Sequence, residues 1–172
     1  MNKSNKNISF KGNKLTILGT EIKEGDKAPA FTLVGTEMND VTLDSFKGKA
    51  LILSVVPSLD TPTCAIQTKR FNKEAASLSK DVAILTVSLD LPFAQKRWCG
   101  AEEVENLTTA SDYKYRSFGE AYGAYIKEMG LLARAVFVIG KDSKVNYVEY
   151  VANLSDEPDY AGALKAVKQL TA

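Results

Sequence analysis

An α/β fold, with a mixed central sheet and helices on both faces, is predicted by three features of this 172-residue sequence. Two strand-length apolar runs, 50–56 and 82–89, are each followed by a helical pattern, at 62–79 and 92–103. Two further apolar runs, 135–139 and 145–151, flank Gly140-Lys141-Asp142-Ser143, whose chemistry suits a hairpin turn. The chain then closes on an amphipathic pattern over 159–170, a terminal helix.

Taken in order, the polar leader 1–7 is expected to fray, and a single domain over 8–172 follows it. Residues 8–10 and 15–18 surround Lys11-Gly12-Asn13-Lys14 and predict an N-terminal β-hairpin. Gly25-Asp26-Lys27-Ala28-Pro29 is a second turn, leading to Phe31 and Leu33. The run 50–56 is long and β-branched enough for a buried strand, and Pro57 stops it. A short strand is expected at 107–110 and a helix over 115–125, where Phe118, Tyr122 and Tyr125 recur at spacings of four and three. Trp98 and Phe93 read as core or pocket-rim residues, and Tyr113, Tyr115, Tyr122 and Tyr125 as packing or dimer contacts. Two strand-helix-strand passages, a hairpin and a terminal helix follow one another in the order of a thioredoxin-like fold.

Composition excludes several functions. Lysine and arginine number 22 against 21 acidic residues, a net charge of +1, so no overall field recruits nucleic acid or an anionic membrane. The longest apolar runs are far too short to span a bilayer, and the lysines of the leader precede no signal-peptide core, so a cytoplasmic location is the expectation. In a reducing compartment a pair of cysteines tends to be catalytic or redox-sensing. Two cysteines without a histidine cannot assemble a usual zinc site, and neither metal nor cofactor is expected. The absence of histidine also excludes imidazole-assisted serine or cysteine hydrolysis, so any nucleophile must be activated by its surroundings.

Cys64 is the candidate nucleophile. Thr61 suits a helix N-cap and Pro62 the first helical position, so Thr63 and Cys64 fall in an opening turn whose backbone N–H groups have no intrahelical partner. A thiolate there meets free donors and the positive end of the helix dipole. Cys64, Thr68, Phe71, Ala75 and Leu78 share one stripe, which turns the sulfur inward and predicts a half-covered pocket. A free cysteine is also commonly an inert buried hydrophobe; the Pro57, Thr61 and helix-start setting favours the reactive reading.

These residues carry a resemblance. Pro57, Thr61 and Cys64 stand at the spacing Pro, three residues, Thr, two residues, Cys; a second cysteine lies in Trp98-Cys99-Gly100-Ala101-Glu102; and Arg134 enters the strand Ala135-Val136-Phe137-Val138-Ile139. In this the chain resembles the peroxiredoxins, and among them the atypical two-cysteine thiol peroxidases of bacteria, from about Ile8 onward. The resemblance implies a peroxidatic Cys64 that becomes a sulfenic acid. It implies that Thr61 hydrogen-bonds thiolate and peroxide, that Pro57 shields the sulfur, and that Arg134 keeps it ionised and stabilises charge as the O–O bond breaks. Cys99 would resolve the sulfenic acid as an intrasubunit disulfide, with thioredoxin as reductant, hydroperoxides as substrates and a homodimer as assembly. Thr63, where Val is common, and Trp98, where Phe is common, depart from the family pattern and bear on pocket shape.

Ionisation alone is too small an effect. A thiol with a pKa of about 8.5 is a few per cent thiolate near neutrality, so complete ionisation gains about 30-fold. Enzymes supply ~10⁶-fold or more, so alignment and charge stabilisation must provide the rest. Cys99 lies a helix, a strand and most of another helix beyond Cys64, and Gly100 weakens the helix beside it, so local unwinding at both cysteines is expected for disulfide formation. The rival reading is a redox-sensing protein that forms the Cys64–Cys99 disulfide to change partners without turnover. A disulfide oxidoreductase is disfavoured because the cysteines do not form Cys-x-x-Cys.

Overall fold

In a computed structural model of the chain, which describes Lys3, Ser4 and residues 6–172, the run Ala50–Val55 is buried at every position and lies inside a seven-stranded sheet. A strand with no exposed side chain needs cover on both faces, and helices supply it on each. In chain order the strands are β1 (Ile8–Phe10), β2 (Asn13–Leu15), β3 (Ile17–Leu18), β4 (Thr32–Gly35), β5 (Asp40–Thr42), β6 (Ala50–Val55), β7 (Val82–Ser88), β8 (Thr108–Ser111), β9 (Tyr125–Ile126), β10 (Leu131–Leu132), β11 (Ala135–Ile139) and β12 (Val145–Tyr150). The helices are α1 (Pro62–Ala75), α2 (Pro92–Ala101), α3 (Ser117–Ala121) and α4 (Tyr160–Leu170).

The sheet runs β12-β11-β6-β7-β8-β4-β5. Its pairs β6/β7 and β7/β8 are parallel, as two helical crossovers through α1 and α2 require. The remaining pairs are antiparallel, so the sheet is mixed and thioredoxin-like, as the element order predicts. Alternation along the strands divides the core. Leu51, Leu53, Val55, Leu85, Val87 and Phe137 face Phe31 and the α3 region, where Phe118 and Tyr122 stack at 4.4 Å. Ile52, Ile84, Val136 and Val138 face Phe71 of α1 and Ala163, Leu164 and Val167 of α4.

Several boundaries differ from expectation for identifiable reasons. The N-terminal hairpin closes on two residues, Lys11 and Gly12, both at positive φ, with Phe10 opposite Asn13. Two successive positive φ values match the twist of the flanking strands, which a four-residue turn would not. Thr16 then separates β2 from β3, and β3 joins a small second sheet with β9 and β10. Helix is confined to Ser117–Ala121 within the expected 115–125 because Gly123 adopts φ +54 with its Cα against the backbone of Thr20, and Tyr125 pairs with Leu18 as a strand. Helices α1 and α2 stop at Ala75 and Ala101, short of 79 and 103. The edge hairpin β4/β5 had no expected counterpart beyond the lead-in at Phe31 and Leu33. Within the leader, Lys3 bridges Leu18 and the Ser4 N–H donates to Ile17 O at 2.8 Å, while Met1, Asn2 and Asn5 lie outside the described residues. No helix among the described residues is long and apolar enough to cross a membrane.

Candidate active site

The end of β6 delivers Cys64 to its place. Val56 is tied to β7 by an N–H bond to Val87 O at 3.0 Å, and Pro57 is buried where the chain leaves the sheet. Thr61 has the extended backbone of an N-cap and Pro62 opens α1, as expected. The first intrahelical bond is Ala65 N–H to Thr61 O at 3.0 Å, so the N–H groups of Thr63 and Cys64 precede the regular ladder. The Thr61 hydroxyl does not cap the helix; it donates to Ser58 O at 2.8 Å. Its proton is thereby committed to that carbonyl, so the hydrogen bond from Thr61 to the Cys64 sulfur that the resemblance implies is not made, and the Thr61 oxygen is left as an acceptor.

Arg134, between β10 and β11, is buried at 2% exposure and brings its fork to the sulfur. Nη2 stands 3.5 Å from Cys64 Sγ and donates to Leu154 O at 2.9 Å, Nε donates to the same carbonyl at 3.1 Å, and Nη1 donates to Gln67 Oε1 at 2.8 Å. Gln67 is itself oriented by a bond from its Nε2 to Ser54 Oγ at 2.9 Å. No carboxylate among the described residues forms an ion pair with Arg134. A guanidinium taken out of water with only neutral oxygens around it leaves the Cys64 sulfur as the group in contact that can carry a compensating charge. The expected half-covered pocket is closed: Cys64 has 0% exposure, because Leu59, Val56, Trp98 and Val104 pack around it.

Cys99 lies in the last turn of α2, half-buried, with Sγ 3.7 Å from Thr109 Oγ1 of β8. Burial pushes its thiol above the ordinary range, and the Thr109 contact opposes this in part. Both cysteines are free, and Cys99 borders the apolar cluster that buries Cys64. The structure therefore joins Cys64 and Arg134 directly, places Pro57 and Thr61 in the segment that leads from β6 into α1, and holds Cys99 at the margin of the Cys64 cluster by a different partner. Trp98 is core as expected, whereas Phe93 is exposed.

Two polar residues escaped the sequence analysis. Gln67 stands three positions after Cys64 on the buried stripe, and a polar side chain in that stripe was the available signal. Asp90 accepts hydrogen bonds from Ser58 Oγ at 2.7 Å, Leu59 N–H at 2.8 Å and Ser88 Oγ at 2.7 Å; nothing local in its sequence marks it.

Sheet order and site together define the thioredoxin-like class that presents a cysteine at the start of a helix. The Redoxin family model matches residues 23–164. The thiol peroxidase of Halalkalibacterium halodurans is 55% identical over 161 residues, covering 94% of this chain and 96% of that relative. The thiol peroxidase of Bacillus subtilis is 50% identical over 163 residues, covering 95% and 97%. A peroxiredoxin-like protein from Aquifex aeolicus superposes with a TM-score of 0.89 at 42% identity, covering 95% of this chain and 96% of that one. The chain belongs to the redoxin family, in its thiol peroxidase group.

Proposed function

We propose that the chain is a thiol-dependent peroxidase reducing organic hydroperoxides and hydrogen peroxide through Cys64. The observation that carries this reading is a buried guanidinium with no carboxylate partner among the described residues, 3.5 Å from Cys64 Sγ. The Cys64 thiolate attacks the terminal peroxide oxygen; an S–O bond forms, the O–O bond breaks, and the departing oxygen takes a proton to leave as alcohol or water. Arg134 stabilises negative charge on sulfur and then on the breaking O–O bond. The Thr61 oxygen, its own proton donated to Ser58 O, accepts the peroxide O–H and sets the angle of approach, while Pro57 excludes bulk water. Because Cys64 is fully covered, a small outward movement of its cover admits the substrate.

Cys99 then attacks the sulfenic sulfur; the S–S bond forms, the S–O bond breaks, and water leaves. The resulting Cys64–Cys99 disulfide is returned to two thiols by a dithiol reductant, for which we propose thioredoxin. The test is turnover of hydrogen peroxide and of a bulky alkyl hydroperoxide with thioredoxin, thioredoxin reductase and NADPH. Cys64→Ser abolishes all consumption. Cys99→Ser retains one stoichiometric oxidation of Cys64 and loses recycling. Equal loss of the first oxidation in both variants contradicts the division of roles, and a parent chain that forms the disulfide without sustained consumption is a redox switch instead.

A further inference from the structure

We infer that Asp90 is a positioning residue that fastens the loop before Cys64 to the segment before Cys99, holding the peroxide-reactive conformation and restraining disulfide closure. The inference rests on the peroxidase reading above. Asp90 sits in the β7–α2 connection, two residues ahead of Pro92. Its Oδ1 accepts from Ser58 Oγ at 2.7 Å and its Oδ2 from Leu59 N–H at 2.8 Å and Ser88 Oγ at 2.7 Å. A carboxylate receiving three short donors from two separate segments is a strong joint, since charge-assisted bonds exceed neutral ones.

The joint reaches both sulfurs. On one side, Ser58 O accepts the Thr61 hydroxyl at 2.8 Å and the Thr61 N–H at 3.2 Å, so Asp90 fixes the residue that fixes Thr61. Leu59, held by its N–H, packs in the same cluster as Cys64 and Trp98. On the other side, Ser88 Oγ accepts from Gln95 Nε2 at 3.0 Å, and Gln95 lies one turn before Cys99 on α2. A continuous chain of hydrogen bonds thus runs from the Cys99 helix through Ser88 and Asp90 to the Cys64 loop. The exposed Arg97–Asp60 pair at 3.4 Å spans the same two segments and adds little.

Closure must break this arrangement. Cys64 Sγ is tied to Arg134 beside β11, Cys99 Sγ to Thr109 on β8, and β6 and β7 lie between those strands. An S–S bond is about 2 Å long, so each sulfur leaves its present partner, Arg134 or Thr109, as the bond forms. When Cys99 attacks the Cys64 sulfenic acid, the S–S bond forms and the S–O bond breaks with loss of water. Asp90 takes no part in that exchange of bonds and sets only how readily the reacting segments are released.

The experiment mixes the reduced full-length chain with hydrogen peroxide in a stopped-flow instrument and follows the single tryptophan, Trp98, beside Cys99. One phase scales with peroxide concentration and reports Cys64 oxidation; a later phase does not and reports closure. Asp90→Ala lowers the peroxide-dependent rate constant about tenfold and raises the closure rate about fivefold, the scale of losing charged hydrogen bonds. Ser58→Ala, which removes the bond to Asp90 and a longer one accepted from the Asp60 N–H at 3.3 Å, moves both phases in the same directions by about twofold to threefold and keeps the test open if Asp90→Ala does not fold. Both phases unchanged, or both slowed together, overturns the role of Asp90. A parent chain with no peroxide-dependent phase removes the peroxidase reading, and the Asp90 role with it.

Discussion

Cys64 and Cys99 border the same apolar cluster, yet their surroundings are built on opposite principles. Cys64 stands at the first turn of a 14-residue helix, fully buried, with a guanidinium whose every nitrogen is engaged. Cys99 stands in the last turn of a 10-residue helix, half-buried, with one long contact to a hydroxyl and a glycine next to it. The first site is organised before any substrate arrives, which places stabilising charge where it is needed without reorganisation. The second leaves its sulfur with that single contact, while its helix is tied to the Cys64 loop through Gln95, Ser88 and Asp90. A reaction that oxidises one sulfur quickly and then moves another toward it needs that asymmetry, and three interventions test whether it exists.

The largest effect is expected from the rigid side. Arg134→Ala removes the cation, and Arg134→Lys keeps the charge while losing the fork that engages Leu154 O and Gln67 Oε1. The peroxide-dependent rate constant should fall about 10²-fold or more in the alanine variant, and still by about tenfold at a pH where the thiol is fully ionised. The lysine variant should lie between. Thermal unfolding must accompany the kinetics, because Ala leaves two buried acceptors without a donor. An unchanged rate at the ionising pH would mean that Arg134 acts on ionisation alone and that the preorganisation of the Cys64 site has been overstated.

A smaller effect is expected from the mobile side through pH. Burial raises the Cys99 thiol and the Thr109 contact only partly offsets it, so the closed fold prefers the protonated thiol. That preference is fully present below the ordinary thiol pKa of ~8.5 and is lost as pH rises toward the raised value in the fold, because the opened segment can ionise where the closed one cannot. In the proposed mechanism closure needs an opened and ionised Cys99, so the peroxide-independent phase should accelerate by about tenfold per pH unit between roughly pH 6 and 8 and then level off. A flat profile would show that Cys99 is not the attacking sulfur in the slow step.

What the sequence made legible follows the same division. Pro57, Thr61 and Cys64 lie within one strand exit and one helix start, where local rules of termination and capping apply, and their placement agrees with expectation. Arg134 meets Cys64 across 70 positions, a distance that only sheet order closes, and only the family resemblance pointed to it. Asp90 reaches Ser58 across 32 positions and Leu59 across 31, with no motif to announce either contact. The helix expected over 115–125 failed because tyrosine spacing is a local signal, whereas the approach of Gly123 to Thr20 is a tertiary one. The closed cover over Cys64 was equally invisible, since the inward stripe gives a direction and not a depth.

The smallest intervention addresses the flexibility of α2 directly. Gly100 is helical, lies next to Cys99, and has open space where a Cβ would project, so Gly100→Ala changes helix propensity without a clash. Alanine favours a helix over glycine by about 0.5–1 kcal/mol, and near a helix end the lower figure applies. If α2 unwinds around Cys99 before the sulfurs meet, that stabilisation is present in the closed form and absent in the opened one, and closure slows by about twofold to fivefold. Peroxide-dependent oxidation of Cys64 stays unchanged, because the substitution touches neither Arg134 nor the 57–61 loop. Rapid-mixing measurements of both phases, with hydrogen exchange at the amides of 98–104, distinguish the cases. Slower closure with greater protection at those amides assigns the glycine to the moving part, whereas greater protection with unchanged closure means that α2 travels toward Cys64 as an intact helix.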